Sequence, residues 1–253
     1  MVTKVKTPGT AVAVKKASAG AIVSIKEALA AQAAAMSERV APASGISIKT
    51  AGKKFALPDG SKNDGPMDFV VVDFVSRNEF YESDYDKDNI VPPACFAIGL
   101  VPNKLVPSAN SPQKQSDDCA SCAMNAFGSK GKGKACSNTR LLAVLPPDAT
   151  EETPIYLLKV SPTGLKSFDG FVQRTARSGQ VPLEVVVTVE FDDNEDYPKL
   201  VFGDDVPNEN VATHFARQAE ARELLNQEPD VSSYAAPAPA PKAKGRATAT
   251  ARR

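Results

Sequence analysis

The sequence predicts a β-rich α+β protein whose core is an OB-type barrel, and three features of the chain support this prediction. Short apolar runs bounded by Pro, Gly or Asn recur through the middle of the 253 residues, as the strands of a small barrel do. One amphipathic segment precedes the last two runs, an order compatible with an OB barrel. A long polar segment between two runs contains three of the four cysteines, so we expect an inserted loop.

The individual elements follow from local patterns. The predicted strands cover residues 69–75, 96–101, 141–145, 155–160, 181–191 and 200–202. The helix among them is predicted to have Ser161 as N-cap and Pro162 at its first position. Leu165, Phe168 and Val172 then share one face at helical spacing. Other small mixed barrels would give a similar pattern, and they remain an alternative to the OB type.

The two ends of the chain differ in composition from its middle, and this difference predicts the domain organisation. We expect residues 1–20 to form a basic disordered arm and residues 21–40 to form an Ala-rich helix. The OB-like barrel covers residues 41–205, and a C-terminal helix follows at residues 206–229. We expect residues 230–253 to form a disordered basic tail, because Ala and Pro dominate it and large apolar side chains are rare.

The zero net charge of the chain excludes few classes of partner. Lys plus Arg and Asp plus Glu each number 30, so only local charge can indicate a polyanionic partner. No segment approaches the roughly 18 uninterrupted apolar residues of a membrane span. Lys26 and Glu27 interrupt the first apolar run too early for a secretory signal. We therefore expect a cytoplasmic, reducing environment, no membrane partner and no disulfides.

The four cysteines are the most informative motif. Cys119 and Cys122 form C-x2-C, the spacing that turns two thiolates toward one tetrahedral ion. Cys95 and Cys136 stand near the ends of the inserted loop, residues 95–140, and supply a second pair. This Gly-, Ser- and Lys-rich loop cannot build its own core, whereas a bound zinc contributes on the order of 10 kcal/mol to folding. We therefore expect a zinc-binding loop with one structural ion held by four thiolates, a closed site without a position for substrate.

Three alternatives to a zinc site remain open from the sequence. The four residues can be ordinary reduced cysteines, with Cys95 as a small core residue. They can form disulfides, although the expected compartment argues against this. An iron–sulfur cluster also takes four thiolates, and residue spacing does not exclude it.

The inserted loop also carries a local excess of positive charge. No acidic residue lies between Asp118 and Asp148, while the same segment contains four cations, namely Lys130, Lys132, Lys134 and Arg140. Interleaved glycines let this backbone approach a surface closely. We predict that these cations contact phosphates of single-stranded DNA without sequence specificity. The alternative is that they only offset the charge of the thiolate–zinc centre and solvate the loop.

Aromatic side chains accompany the basic segment. Phe127 within the loop and Tyr81 and Tyr85 upstream are the candidates for stacking on bases, which contributes roughly 1–3 kcal/mol per base. Asp84 and Asp86 lie among the tyrosines and would repel phosphates. A structural role for these rings is therefore an equal alternative.

No set of catalytic residues stands out, so we predict that the protein is not an enzyme. The single histidine, His214, is predicted on the surface of the last helix. The chain lacks a Gly-rich phosphate loop and an HExxH motif. Asp192 and Asp193 are the only basis for a metal-dependent nuclease. Together with nearby acidic residues they predict an acidic side, separate from the basic loop.

Two segments of the chain, residues 80–99 and 115–144, resemble a family of small phage proteins that are regarded as single-stranded DNA-binding or replication-associated. The family pattern is PPxC, then CxxC followed by N-x-[WF]-G-S and GKGKxC-x3-R. The matching positions are Pro92, Pro93, Cys95, Cys119, Cys122, Asn125, Phe127, Gly128, Ser129, Lys132, Lys134, Cys136 and Arg140. The resemblance covers roughly residues 67–204 and implies an OB-fold core, a bound metal and a function in phage DNA metabolism in the infected cell.

The first hypothesis is therefore a bacteriophage protein that binds single-stranded DNA during replication or recombination. The alternative is a structural or adaptor protein that contacts phage or host proteins, including replication or recombination proteins. Many single-strand binders recruit such partners through an acidic C-terminal tail. This chain ends in a basic tail, so we expect the tail to contact DNA instead. The sequence does not predict the oligomeric state.

Overall fold

The computed structural model describes residues 46–84, 86 and 88–234. The chain divides into two units, residues 1–45 and 46–253, and the described residues all belong to the second. The predicted arm (1–20), the predicted N-terminal helix (21–40) and most of the predicted tail (230–253) therefore lie outside the described residues.

Nine strands occur in the described part of the chain, and seven of them form one sheet. In chain order they are β1 (Ser47–Ile48), β2 (Phe55–Ala56), β3 (Lys62–Asn63), β4 (Met67–Phe80), β5 (Cys95–Gly99), β6 (Cys136–Leu145), β7 (Tyr156–Val160), β8 (Val185–Phe191) and β9 (Leu200–Pro207). The order across the large sheet is β1-β7-β6-β4-β8-β9, and β5 pairs with β4 outside this path. β2 and β3 form a separate two-stranded sheet.

Strand β4 organises the large sheet, because its 14 residues pair with three other strands. Met67, Asp68 and Phe69 pair with β8. The remainder of β4 pairs with β6, and the last five residues also pair with β5. All three pairings are antiparallel. Since strands twist progressively, a strand of this length carries the sheet around on itself, and the sheet curls into a half-barrel.

Three α-helices accompany the sheet in the described range, namely α1 (Leu165–Arg177), α2 (Val211–Ala216) and α3 (Gln218–Leu225). Helix α1 connects β7 to β8, and its Phe168 and Phe171 are fully buried. Helices α2 and α3 follow β9. Within the described residues, no helix combines the length and the apolar character needed to cross a membrane.

Two buried clusters cover the two faces of the sheet. Successive residues of a strand point to opposite faces, so Phe69 and Val71 of β4 join one cluster and Val70 and Val72 join the other. The first cluster lies inside the curl and includes α1. The second lies outside, where Leu225 of α3 contributes. The predicted β-rich α+β class is confirmed, and each predicted strand overlaps one of β4 to β9. β4, β6 and β9 are longer than predicted, and residues 182–184 of the predicted strand at 181–191 form a 3-10 helix instead.

The helix boundaries differ from the prediction at two places. Gly164, not Ser161, occupies the N-cap of α1, and residues 161–164 form a turn in which Gly164 N donates to Ser161 O. A Cβ at Gly164 would lie 3.2 Å from Leu200 O, so the residue before α1 packs closely against β9. The predicted helix at residues 206–229 is two helices, which meet at Arg217.

The break at Arg217 decides which side chains reach the core. Arg217 Nη1 donates to Glu151 O and Thr153 O at 2.9 and 2.8 Å, which ties the junction to the β6–β7 connection. His214 before the break and Leu225 after it are both fully buried. By contrast, the Phe215 side chain next to His214 is 63% exposed. The expectation of a surface histidine is therefore wrong.

Candidate functional site

Two of the four cysteines occupy the first residues of strands on either side of β4. Phe80 of β4 pairs with Cys95 of β5 and with Cys136 of β6. Register partners in antiparallel strands point to the same face, so both thiols lie on one side of the sheet. Two strand spacings separate their Cα atoms by about 10 Å, beyond the reach of a disulfide. All four cysteines are free thiols.

The inserted loop places the other two cysteines over the same face. Cys119 N donates to Leu105 O at 3.0 Å, and Asn125 Nδ2 donates to Cys119 O at 2.7 Å. Asp118 Oδ1 accepts from the backbone N–H groups of Ala120 and Ser121, which shapes the turn between Cys119 and Cys122. These bonds hold the C-x2-C segment as a tight turn above the strands.

The four buried cysteines line one cavity of about 10 Å³, close to the minimum that holds a single water-sized occupant. Burial raises the pKa of the Cys119 thiol, and it raises the pKa of Cys136 to about 12. The other cysteines raise both pKa values further, because a second negative charge so close is unfavourable. A divalent cation in the cavity would reverse this balance by pairing with the thiolates.

The donor chemistry and the cavity size fit a small structural ion, but the thiols do not form a ready site. Among the described residues, no group of three or more His, Cys, Asp or Glu side chains is placed so that it could hold a metal ion. The sulfur atoms would have to move toward each other around an ion. A zinc site, or an iron–sulfur site, therefore stays a prediction.

A short basic hairpin joins the C-x2-C turn to β6. We call residues 127–135 the basic hairpin. Lys130 and Gly133 form an isolated antiparallel bridge, and Gly131 has a φ of +57°, a backbone conformation that favours glycine. Ser129 Oγ donates to Met124 O and Ala126 O and accepts from Ala135 N. The hairpin is therefore tied to the loop that carries Cys119 and Cys122.

The predicted lysines and Phe127 are all exposed on this hairpin. Phe127 is 80% exposed. Lys130 Nζ donates to Asp84 Oδ1 at 2.6 Å, and Lys134 Nζ donates to Asn138 Oδ1 at 2.9 Å. Lys132 at the tip makes no polar contact with any residue that the structure describes. The hairpin therefore presents an aromatic ring and three cations on one short segment.

Arg140, the fourth predicted cation, does not join this surface. It is 9% exposed, and its Nη2 lies 3.4 Å from Asp169 Oδ1 of α1. On β6 it shares a face with Leu142 and Val144, whose side chains belong to the cluster inside the curl. The expected phosphate contact by Arg140 therefore lacks the necessary exposure.

Of the two tyrosines predicted to stack on bases, only one lies in the described part of the chain. Tyr81 is partly exposed, its hydroxyl donates to Glu79 Oε2 at 3.5 Å, and burial raises its pKa. Its ring lines a cavity of about 440 Å³ whose other walls include Lys130 and Lys134. Tyr85 lies outside the described residues.

The acidic cluster lies at the other end of β4 from the cysteines. Met67 at the start of β4 pairs with Val189, just before the acidic β8–β9 loop, whereas Phe80 at its end pairs with Cys136. In this acidic loop, Asp192 accepts from Lys199 Nζ at 2.8 Å, which holds its pKa down at about 2. Since Asp192 is occupied by Lys199, the nuclease alternative gains no support.

Asn78 also belongs to the cysteine site, although no motif of the sequence singles it out. Asn78 hydrogen-bonds Cys119 and accepts from Asn138 Nδ2 at 2.7 Å, so it connects the C-x2-C turn to two strands. Only the two-residue spacing between Asn78 and Phe80, which puts both side chains on one face of a strand, could have placed Asn78 on the face of the cysteines.

Comparisons of this chain with protein-family models, curated proteins and solved structures find no match.

Proposed function

We propose that the protein binds single-stranded DNA without catalysing a reaction, and that it acts in bacteriophage replication or recombination. The observation that carries this proposal is the basic hairpin. An 80% exposed phenylalanine lies next to three exposed lysines, and no carboxylate interrupts the sequence between Asp118 and Asp148. Exposed rings with neighbouring cations are the combination that non-specific single-strand binding requires. The resemblance over residues 67–204 supports the phage assignment.

The strand order supports an OB-type barrel as the frame. In this assignment β4, β6, β7, β8 and β9 are the five barrel strands, and α1 lies between the third and the fourth. OB folds bind oligonucleotides through the loop between strands one and two and the loop between strands four and five. The first of these corresponds to residues 81–135, which contain the basic hairpin. The second is the acidic β8–β9 loop, so we assign phosphate binding to the first loop.

We further propose that the four cysteines hold one structural zinc ion, with an iron–sulfur cluster as the alternative. The ion would fix the basic hairpin, because Cys136 follows the hairpin directly and Cys122 precedes it. The test is metal content per chain with an absorption spectrum, on the wild type and on Cys119→Ser/Cys122→Ser. About one zinc per wild-type chain and its loss in the double variant are expected. A brown, iron-containing sample would favour the cluster, and four free thiols without metal would refute both.

The DNA proposal is tested by fluorescence anisotropy with a labelled oligothymidylate. Raising salt from about 50 to about 200 mM should weaken binding, and the K130Q/K132Q/K134Q variant should reduce the salt slope by about 2, since each phosphate contact contributes roughly 0.7. Phe127→Ala should weaken binding at every salt concentration, by roughly 1–3 kcal/mol.

The matched control is K49Q/K62Q/K166Q, which removes the same charge from exposed lysines outside the hairpin. It should leave the salt slope close to wild type. An equal loss of slope in both triple variants would show that overall charge, not the hairpin, drives binding. No binding at low salt would refute the proposal.

A protein-binding role is the second candidate function. The loop after β5 exposes three apolar side chains, Leu100, Val101 and Val106, which are 73, 49 and 61% exposed. Exposed apolar groups of this kind favour contact with another protein, such as a replication or recombination protein. Leu100→Ser/Val106→Ser should weaken such a contact in sedimentation assays with purified replication proteins while leaving DNA affinity unchanged.

A further inference from the structure

We infer that the cavity beside the basic hairpin is a base pocket that accepts one amino-bearing nucleobase of the bound strand, cytosine in preference to thymine. This inference rests on the proposed function and adds a base preference to it. The cavity has a volume of about 440 Å³, within the range of roughly 300–1,000 Å³ typical of small-ligand sites. It therefore has room for a base together with part of its sugar.

The apolar part of the cavity suits a base ring. Tyr81, Ile90 and Val91 contribute to its lining. Ile90 is 76% exposed, and Tyr81 leaves about a third of its surface accessible, so apolar surface is open at the mouth. The Tyr81 hydroxyl lies 3.5 Å from Glu79 Oε2, a long hydrogen bond that favours this ring position. A base inserted here would stack on a prepositioned ring rather than order a free one.

Charge is divided between the two walls. The wall formed by the loop after β4 carries Asp84 and Asp86, and the wall formed by the hairpin carries Lys130 and Lys134. The Lys130–Asp84 ion pair joins the two walls at 2.6 Å, with the side chains 59 and 88% exposed. Because exposed ion pairs are weak, a phosphate can replace Asp84 as the partner of Lys130. The lysines then hold the strand's backbone while the carboxylates face its base.

The carboxylates determine which base fits. An ionised carboxylate only accepts hydrogen bonds, so the base edge facing it must donate. Cytosine offers its N4 amine, and adenine and guanine also carry amino groups. Thymine presents carbonyl oxygens on both sides of its single ring N–H, and these oxygens would be repelled. The same acidic residues that disfavour phosphate binding in this region therefore favour an amino-bearing base.

The test compares anisotropy titrations of oligocytidylate and oligothymidylate of about 12 nucleotides, the size that one barrel covers. We expect about tenfold tighter binding of the cytosine strand, the usual discrimination by one good base contact. Asp84→Asn/Asp86→Asn should reduce the ratio toward one, because amides can donate to thymine carbonyls. Asp193→Asn, an exposed carboxylate of the acidic loop, is the control and should leave the ratio unchanged.

The outcomes separate this inference from the proposed function. Equal affinity for both strands, with the hairpin lysines still required, would overturn the base pocket and leave single-strand binding intact. No binding of either strand would overturn both. Competition with free deoxycytidine monophosphate separates a strand site from a mononucleotide site. If the free nucleotide displaced the probe as effectively as cytosine within a strand, the assignment to a strand would be wrong.

Discussion

His214 connects three parts of the chain through one fully buried imidazole. Its Nε2 donates to Pro146 O after β6 at 3.2 Å, and its Nδ1 accepts from Asn208 Nδ2 at 3.0 Å. Asn208 in turn donates to Leu183 O at 2.7 Å, before β8. Because Pro146 O can only accept, Nε2 is the donor of this bond. Both nitrogens are used structurally, so the only histidine of the chain is not available for catalysis.

Replacing His214 should therefore reduce stability more than any function. His214→Ala leaves a cavity and removes the partners of Asn208 and Pro146, so we expect a loss of about 3 kcal/mol in the free energy of unfolding. Urea denaturation followed by circular dichroism measures it. Phe215→Ala, one residue further on and 63% exposed, is the control and should change stability by less than about 0.5 kcal/mol. Equal effects of both variants would contradict the connecting role.

The predictability of the candidate site differs from residue to residue. The cysteines could be grouped from spacing alone, and the lysines are exposed as expected because glycines keep the hairpin free of a core. The position of Arg140 in the sequence groups it with these lysines. Whether a strand residue is exposed depends on the face of the sheet to which its side chain points. Arg140 points to the same face as Leu142 and Val144, which are buried. Asp84 could not be assigned a partner, because Lys130 is distant in sequence and only the fold brings them together.

At the scale of elements, β4 shows why its first half was predictable and its second half was not. Residues 69–75 are mainly apolar, whereas Ser76 to Phe80 contain polar residues that do not read as a strand. Ser76, Asn78 and Glu79 are buried, and Ser76 Oγ has no hydrogen-bond partner among the described residues, whereas the other two each find a partner on another strand. Asn78 bonds Asn138, and Glu79 bonds Lys159 Nζ at 2.5 Å. Such long-range pairs decide the strand's length and leave no local pattern.

Arg77, in the same half of β4, holds the end of α3. Its Nη2 donates to Leu225 O and Gln227 O at 2.9 and 2.6 Å, where carbonyls at a helix C-terminus attract a cation. Arg77→Met keeps the bulk but removes both bonds, so we expect a loss of roughly 1.5–3 kcal/mol. Amide hydrogen exchange should accelerate in α3 and stay unchanged in α1. Arg222→Met, which removes an exposed ion pair to Asp73, should have little effect on either helix.

At the scale of the whole described unit, the loop that carries the cysteines has little core of its own. The two large clusters cover the faces of the sheet, whereas the loop side contributes only a small third cluster of Ala97, Leu105 and Cys119. The segment after α3 reaches the loop as well, since Glu228 accepts from Ser108 Oγ and Asn110 Nδ2 at 2.6 Å each. Exposed hydrogen bonds of this kind are weak. Folding of the sheet and ordering of the loop are therefore separable.

Metal removal should consequently affect the loop and spare the sheet. If the proposed zinc ion holds the four cysteines, chelation removes a contribution on the order of 10 kcal/mol from a segment with almost no other core. We expect trypsin to cleave faster at Lys130, Lys132 and Lys134, while far-ultraviolet circular dichroism of the strands stays close to that of the metal-bound protein.

Metal removal should also weaken DNA binding. DNA affinity should fall toward that of the triple lysine variant, because the three cations would no longer be held together. Re-adding zinc should restore both properties in the wild type but not in Cys119→Ser/Cys122→Ser. Global unfolding on chelation would show that the sheet depends on the ion, and an unchanged cleavage rate would show that the loop is held without it.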